Sequence, residues 1–180
     1  MGVRKRYVLT ALGFLFALIL QTTVLKHVAI MGYSPNLLLC LIVVSSFLYD
    51  EKVGLIYGVL SGLLLDLSTG LYVGPSAIAF VLVYLFVISM RMIFNHERLL
   101  PEFLLAGVST PLFMFTYWLL YKLAGSPVSV MLVLKALPVL LIYNAVIIIV
   151  LHLILVRGVI RYKRDSSLTG KYTFHKGLKI

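Results

Sequence analysis

Residues 54–74 read GLIYGVLSGLLLDLSTGLYVG. Gly54, Gly58, Gly62, Asp66, Gly70 and Gly74 follow one another at unbroken four-residue intervals in this stretch. Positions four apart share one face of a helix. The residues between them are apolar without the strict alternation of a strand, so the stretch is predicted to be helical. Gly54, Gly58 and Gly62, with Ser61 beside them, then form a flat stripe on which another helix can approach closely. Each glycine costs about 1 kcal/mol of helix propensity relative to alanine, so three at this spacing require a packing reason. Asp66 continues the stripe near the end of the helix, and a carboxylate in an apolar segment is costly enough to mark a functional position. Three readings of Asp66 stand side by side: an anchor bonded to neighbouring helix ends or backbone N–H groups, a carboxylate wetted at an interface, and a proton- or cation-coupled site. Gly70 and Gly74 fall past the expected helix end, where glycine serves turn geometry.

The rest of the chain shares this apolar character. Its 180 residues are 62% hydrophobic and 12% charged, with mean hydropathy +1.08, whereas soluble domains are roughly 45–50% apolar. One small core cannot hide that much apolar surface, so lipid is the expected solvent. In hydrocarbon every backbone polar group must be paired internally, which leaves helices or a closed barrel, and continuous apolar runs select helices. Charges and prolines divide the chain into six predicted spans at about 7–25, 35–49, 53–68, 75–94, 103–121 and 136–156. Together they make one domain over 1–157, followed by a basic tail at 158–180 that reads as flexible. The 7–25 segment follows Arg4-Lys5-Arg6 but lacks a small-residue cleavage site, so it reads as a retained helix and not a signal peptide. Pro35, Pro75 and Pro101 lie at or just before segment starts, where a missing N–H matters least. Pro111 is predicted to kink the fifth span.

Spans two and three are short. Fifteen helical residues cover only about 22 Å of a roughly 30 Å hydrocarbon core, so the pair is either two short spans or a re-entrant hairpin. The Asp50-Glu51-Lys52 cluster between them favours a turn in water or at the interface. With six spans, one side collects Arg4, Lys5, Arg6, Lys52, Arg91, Arg98, Arg157, Arg161, Lys163, Arg164, Lys171, Lys176 and Lys179, and the other holds Lys26, Lys122 and Lys135. The positive-inside rule then places both termini in the cytoplasm of a multi-pass inner-membrane protein.

The net charge of +10 sits at the edges of apolar runs and in the tail, an arrangement suited to orientation and anionic-lipid contact and not to nucleic acid. Cys40 has no partner for a disulfide or the usual metal spacing, and His27, His96, His152 and His175 are dispersed. No nucleophile–base set, phosphate loop or paired carboxylate pattern occurs, so no catalytic, cofactor-binding or metal-binding residue is predicted. Gln21 late in the first span and Asn36 opening the second are polar groups near the same outer face as Asp66, available to bond it, to bond a partner helix or to cap. Ser109, Thr110, Thr116, Asn144 and His152 look scattered, and a lone histidine in a span is expected to be a helix–helix hydrogen-bonder. Tyr117, Trp118 and Tyr121 read as an interfacial aromatic belt.

The chain resembles the MreD family of rod shape-determining proteins. The resemblance rests on Leu20-Gln21, on Pro35-Asn36-Leu37-Leu38-Leu39, and above all on Gly58-x-x-x-Gly62-Leu63-Leu64-Leu65-Asp66-Leu67-x-x-Gly70 with Gly74 following. It runs from residue 7 to about 156. It implies a non-enzymatic inner-membrane scaffold of the lateral-wall elongation machinery that regulates cell shape. The implied partners are MreC directly, and RodA, a class B penicillin-binding protein and MreB in the same machinery. The implied fold is a compact all-α bundle of six transmembrane helices, similar to the substrate-binding components of energy-coupling-factor vitamin transporters. That likeness supplies the rival reading, a small-molecule uptake component.

Overall fold

The computed structural model describes the backbone of residues 3–25, 27–48, 51–69, 72–91, 93 and 99–176, with side chains described for 8, 10–25, 27–47, 54–68, 72–91, 93 and 100–154. Lys26, Asp50 and Gly70 lie outside the described residues, as do the side chains of the basic clusters at both ends. The described residues form α1 (Val3–Thr22), α2 (Leu37–Leu48), α3 (Glu51–Thr69), α4 (Pro75–Arg91), α5 (Leu99–Leu123) and α6 (Val130–Lys176), with no strand among them. Two stretches, Leu100–Leu123 and Val130–Ile154, are long and apolar enough to cross a membrane; four shorter apolar stretches accompany them.

Helices α5 and α6 begin earlier than the sequence suggests. Pro101 sits in the first turn of α5, where its missing N–H leaves no hydrogen bond unmade. Both helices run on through internal prolines, Pro111 and Pro138. At its far end α6 stays helical to Lys176, well past the apolar stretch that ends near residue 156.

Helix α2 is the centre of the bundle and touches each of the other five helices. Leu38, Leu39, Cys40, Ile42, Val43, Val44 and Phe47 have no exposed surface at all. A helix that is apolar around its whole circumference belongs inside a bundle. This accounts for its shortness: 12 residues, about 18 Å of helix, fill the interior without having to match the thickness of a bilayer. The other helices wrap it and turn apolar faces outward, among them Leu55, Ile56, Leu60, Leu64 and Leu67 on α3 and Ile142, Val146, Val150 and Ile154 on α6. Contiguous exposed apolar surface of this kind is foreign to water-soluble monomers.

The glycine stripe of α3 faces inward and is filled from both flanks. Gly54 lies against Ser46 of α2 and Tyr84 of α4, Gly58 against Ile42 and Phe80, and Gly62 against the backbone of Ser76 and Ala77 at the start of α4. Moving down α3 by four residues moves the contact up α4 by three or four, the register of an antiparallel hairpin. The three positions differ in tolerance. A Cβ on Gly62 would stand 2.6 Å from Ala77 Cα and 2.7 Å from its N, whereas the nearest atom to one on Gly58 would be the flexible Cδ1 of Ile42 at 3.3 Å.

Gly62→Ala is therefore expected to destabilise the bundle by about 1–3 kcal/mol, since backbone cannot step aside. Gly58→Ala should be close to neutral, a slight clash offset by about 1 kcal/mol of helix propensity. Thermal unfolding of both variants in detergent checks this ranking, and equal midpoints would refute it.

Candidate functional site: two buried helix starts, a polar seam and a cavity

The first four N–H groups of any helix lack an intrahelical partner, and α2 and α4 both begin inside the protein. Each start is satisfied by side chains, several from other helices, and these include the residues singled out by the sequence.

At the start of α2, Asn36 accepts the Leu39 N–H at its Oδ1 (2.9 Å), the hydrogen bond of an N-cap. From α1, Gln21 accepts the Leu37 N–H at its Oε1 (2.8 Å) and donates its amide to the Pro35 carbonyl (2.8 Å). From α6, Asn144 accepts the Asn36 N–H at its Oδ1 (3.1 Å). The Asn144 amide in turn donates to Thr110 Oγ1 on α5 (3.0 Å), and that hydroxyl donates to the Ala106 carbonyl (2.8 Å). Cys40 Sγ, one turn into α2, lies 3.7 Å from the Asn144 carbonyl. One helix end is thereby tied to α1, α5 and α6 through buried side chains.

At the start of α4 the cap is a carboxylate. Asp66, fully buried, accepts the Gly74 N–H at Oδ2 (2.8 Å) and the Ser76 N–H at the same oxygen (3.0 Å), with Oδ1 at 3.3 Å from Ser76 N. A negative group at a helix N-terminus is favoured by the helix dipole as well as by these bonds. Gly74 has φ +118°, backbone open to glycine and strained for other residues, and this turns its N–H toward the carboxylate. Gly62 and Asp66 act as one unit. The missing Cβ at Gly62 lets the first turn of α4 close onto α3, and one helical turn further along Asp66 meets the N–H groups brought there.

Sequence reasoning overlooked Glu102. This residue lies in the first turn of α5, has no exposed surface, and places Oε2 2.9 Å from His152 Nδ1 on α6. The same is true of Thr110 and Asn144, which the sequence left scattered. The signal was present: Glu102 and Thr110 are eight apart on α5, Asn144 and His152 eight apart on α6, and a short connection folds the two helices antiparallel. Ala106 and Ile148, both buried, separate the two polar layers. His152 is thus a helix–helix hydrogen-bonder as expected, with a carboxylate for its partner.

The aromatic residues of α5 also do more than form a belt. Phe80, Phe113 and Tyr117 stack in sequence at 4.8 and 5.8 Å between ring centroids, and Tyr121 continues the series at 4.5 Å with Tyr72 against its edge at 5.2 Å. Tyr117 donates to the Tyr121 hydroxyl (2.8 Å), and Trp118 donates its indole N–H to the Val128 carbonyl (3.0 Å). The rings of Phe113, Tyr117, Trp118 and Tyr121 wall a cavity of about 390 Å³ between α5, α6 and the α1–α2 connection, with Gln21, Asn36, Thr110 and Asn144 at its polar side. None of its described lining residues is charged. No group of three or more His, Cys, Asp or Glu able to hold a metal occurs among the described residues.

Two outcomes follow from these bonds. Asp66→Asn keeps the shape but sets an amide donor against backbone donors, so a loss of about 1–3 kcal/mol is expected, read as a lower unfolding midpoint in detergent. His152→Leu leaves Glu102 buried without its partner and should cost about 3–5 kcal/mol, whereas adding Glu102→Met to it should recover most of that loss, as replacement of a buried pair by apolar groups does. A double variant no more stable than His152→Leu alone would contradict this account of the pair.

No curated protein and no solved structure matches the chain. One family model does, that of the rod shape-determining protein MreD, and it matches residues 2–162. A match over that much of the chain assigns the family, and with it a role in rod shape determination: the protein belongs to the MreD family.

Proposed function

We propose that this protein is a non-enzymatic scaffold of the cell-elongation machinery in the bacterial inner membrane. In this reading all six helices form a multi-pass bundle with both termini in the cytoplasm. The connections at Tyr33, Gly74 and Gly125 then lie on the outer side. MreC is the direct partner, with RodA, a class B penicillin-binding protein and MreB in the same machinery, and the basic end of α6 rests on anionic lipid. Family membership carries the proposal. The use of the buried polar groups supports it: Gln21, Asn36, Asp66, Thr110 and Asn144 hold helix starts and helix pairs together, which is the chemistry of a stiff support. The glycine stripe is taken up within the chain by α2 and α4, so the contact with MreC belongs on another surface.

The small-molecule uptake reading, with a fold like the substrate-binding components of energy-coupling-factor transporters, draws on the cavity between α5 and α6. Gln21, Asn144 and Thr110 on its polar side are already engaged in holding helices, whereas a site for a polar metabolite needs convergent free groups.

Affinity purification of the protein from native membranes, with the bound proteins identified by mass spectrometry, separates the two. The scaffold reading expects MreC and wall-synthesis enzymes. Recovery of an ATP-hydrolysing coupling module with a tightly bound water-soluble metabolite, and no MreC, would overturn it.

A further inference from the structure

We propose that the cavity beside Trp118 is a binding site for a single hydrocarbon chain of an amphiphile drawn from the outer leaflet of the membrane. The inference rests on the orientation given above and goes beyond the scaffold reading, which needs no ligand.

Shape is the first argument. The cavity wall on α5 runs from Thr110 to Tyr121 and on α6 from Leu132 to Asn144, so it extends about 16–18 Å along the two helices at 1.5 Å per residue. A volume of about 390 Å³ spread over that length makes a narrow slot, suited to a chain and not to a compact bicyclic metabolite. Chemistry is the second. The slot's described lining carries no charge, so it offers no counter-ion to a phosphate, carboxylate or ammonium inside. Several of its polar groups are committed elsewhere: Gln21 to Pro35 and Leu37, Asn144 to Asn36 and Thr110, and the Trp118 indole to Val128. What it chiefly offers an occupant is aliphatic surface and the rings of Phe113 and Tyr117, which reward burial of apolar area. Position is the third. Tyr117, Trp118 and Tyr121 line the slot toward the α5–α6 connection, and tyrosine and tryptophan gather at the level where a headgroup stays in the interface while its tail enters protein. Acyl lipids and isoprenoid lipids share this chemistry, and the test distinguishes them.

Trp118 is the only tryptophan in the chain, so its fluorescence reports on the slot. The full-length protein is reconstituted into nanodiscs in which phosphatidylcholine with dibrominated acyl chains is titrated against the unbrominated lipid. A saturable fraction of Trp118 quenching is expected on top of the quenching by bulk lipid. Ala136→Phe, which fills the slot from α6, should abolish the saturable fraction and leave the bulk part; Leu140→Phe serves as a second filling variant. A non-brominated prenyl alcohol that relieves the saturable quenching identifies an isoprenoid chain as the preferred occupant; relief by a free fatty acid alone identifies an acyl chain. Quenching in both folded variants identical to that of the unaltered protein would overturn the proposal. If neither variant folds, native mass spectrometry of the unaltered protein decides: one retained chain-bearing lipid supports the site, and bare protein or a bound water-soluble solute refutes it.

Discussion

A helix that starts inside a protein brings donors with it, and in an apolar interior there is no water to take them. The structure is organised around this constraint. Helix α2 is short, apolar on every side and surrounded by all the others, so its free N–H groups must find acceptors supplied by its neighbours. Gln21, Asn36 and Asn144 supply them. Because the acceptors belong to α1, α6 and the residue preceding α2 itself, satisfying the start of one helix fixes the positions of three. An unsatisfied buried donor costs about 1–3 kcal/mol, a large fraction of the whole stability of a domain, so these positions are not free to drift.

The start of α4 meets the same demand with a carboxyl group. A carboxylate is poorly tolerated in hydrocarbon unless its oxygens are filled, and Asp66 fills them with backbone N–H groups at the positive end of a helix. Steric and electrostatic requirements coincide: without the flat spot at Gly62 the helix start could not come within reach of Asp66, and without Asp66 the close approach would bury unpaired donors. This coupling explains why small residues and an acid share one stripe. It also gives the anchor reading of Asp66 a concrete geometry.

The two polar layers between α5 and α6 extend the pattern across the bundle. Thr110–Asn144 lies beside the start of α2, and Glu102–His152 lies two turns away toward the opposite end, with apolar packing between them. Paired polar groups at matched depth set the register of two long helices that would otherwise slide on aliphatic surface alone. On the other side of Thr110–Asn144 lies the aromatic-walled cavity.

The sequence by itself determined the class of structure and the family. More apolar residues than one small core can hide, in runs cut by charges and prolines, dictate helices because hydrocarbon accepts no unpaired backbone. The four-residue spacing from Gly54 to Asp66 dictates a flat side ending in an acid, and the Gly58–Gly70 stretch carries the family likeness. Asn36 as a cap was legible from its place before a helix. What only the tertiary structure decided was which partners meet: that α2 and α4 lie on the flat side, that Gln21 reaches the start of α2, and that Glu102 faces His152 fifty residues away. Periodicity reports the direction in which a side chain points along its own helix. It does not report which other helix stands opposite, because that depends on how all six fill one interior at once.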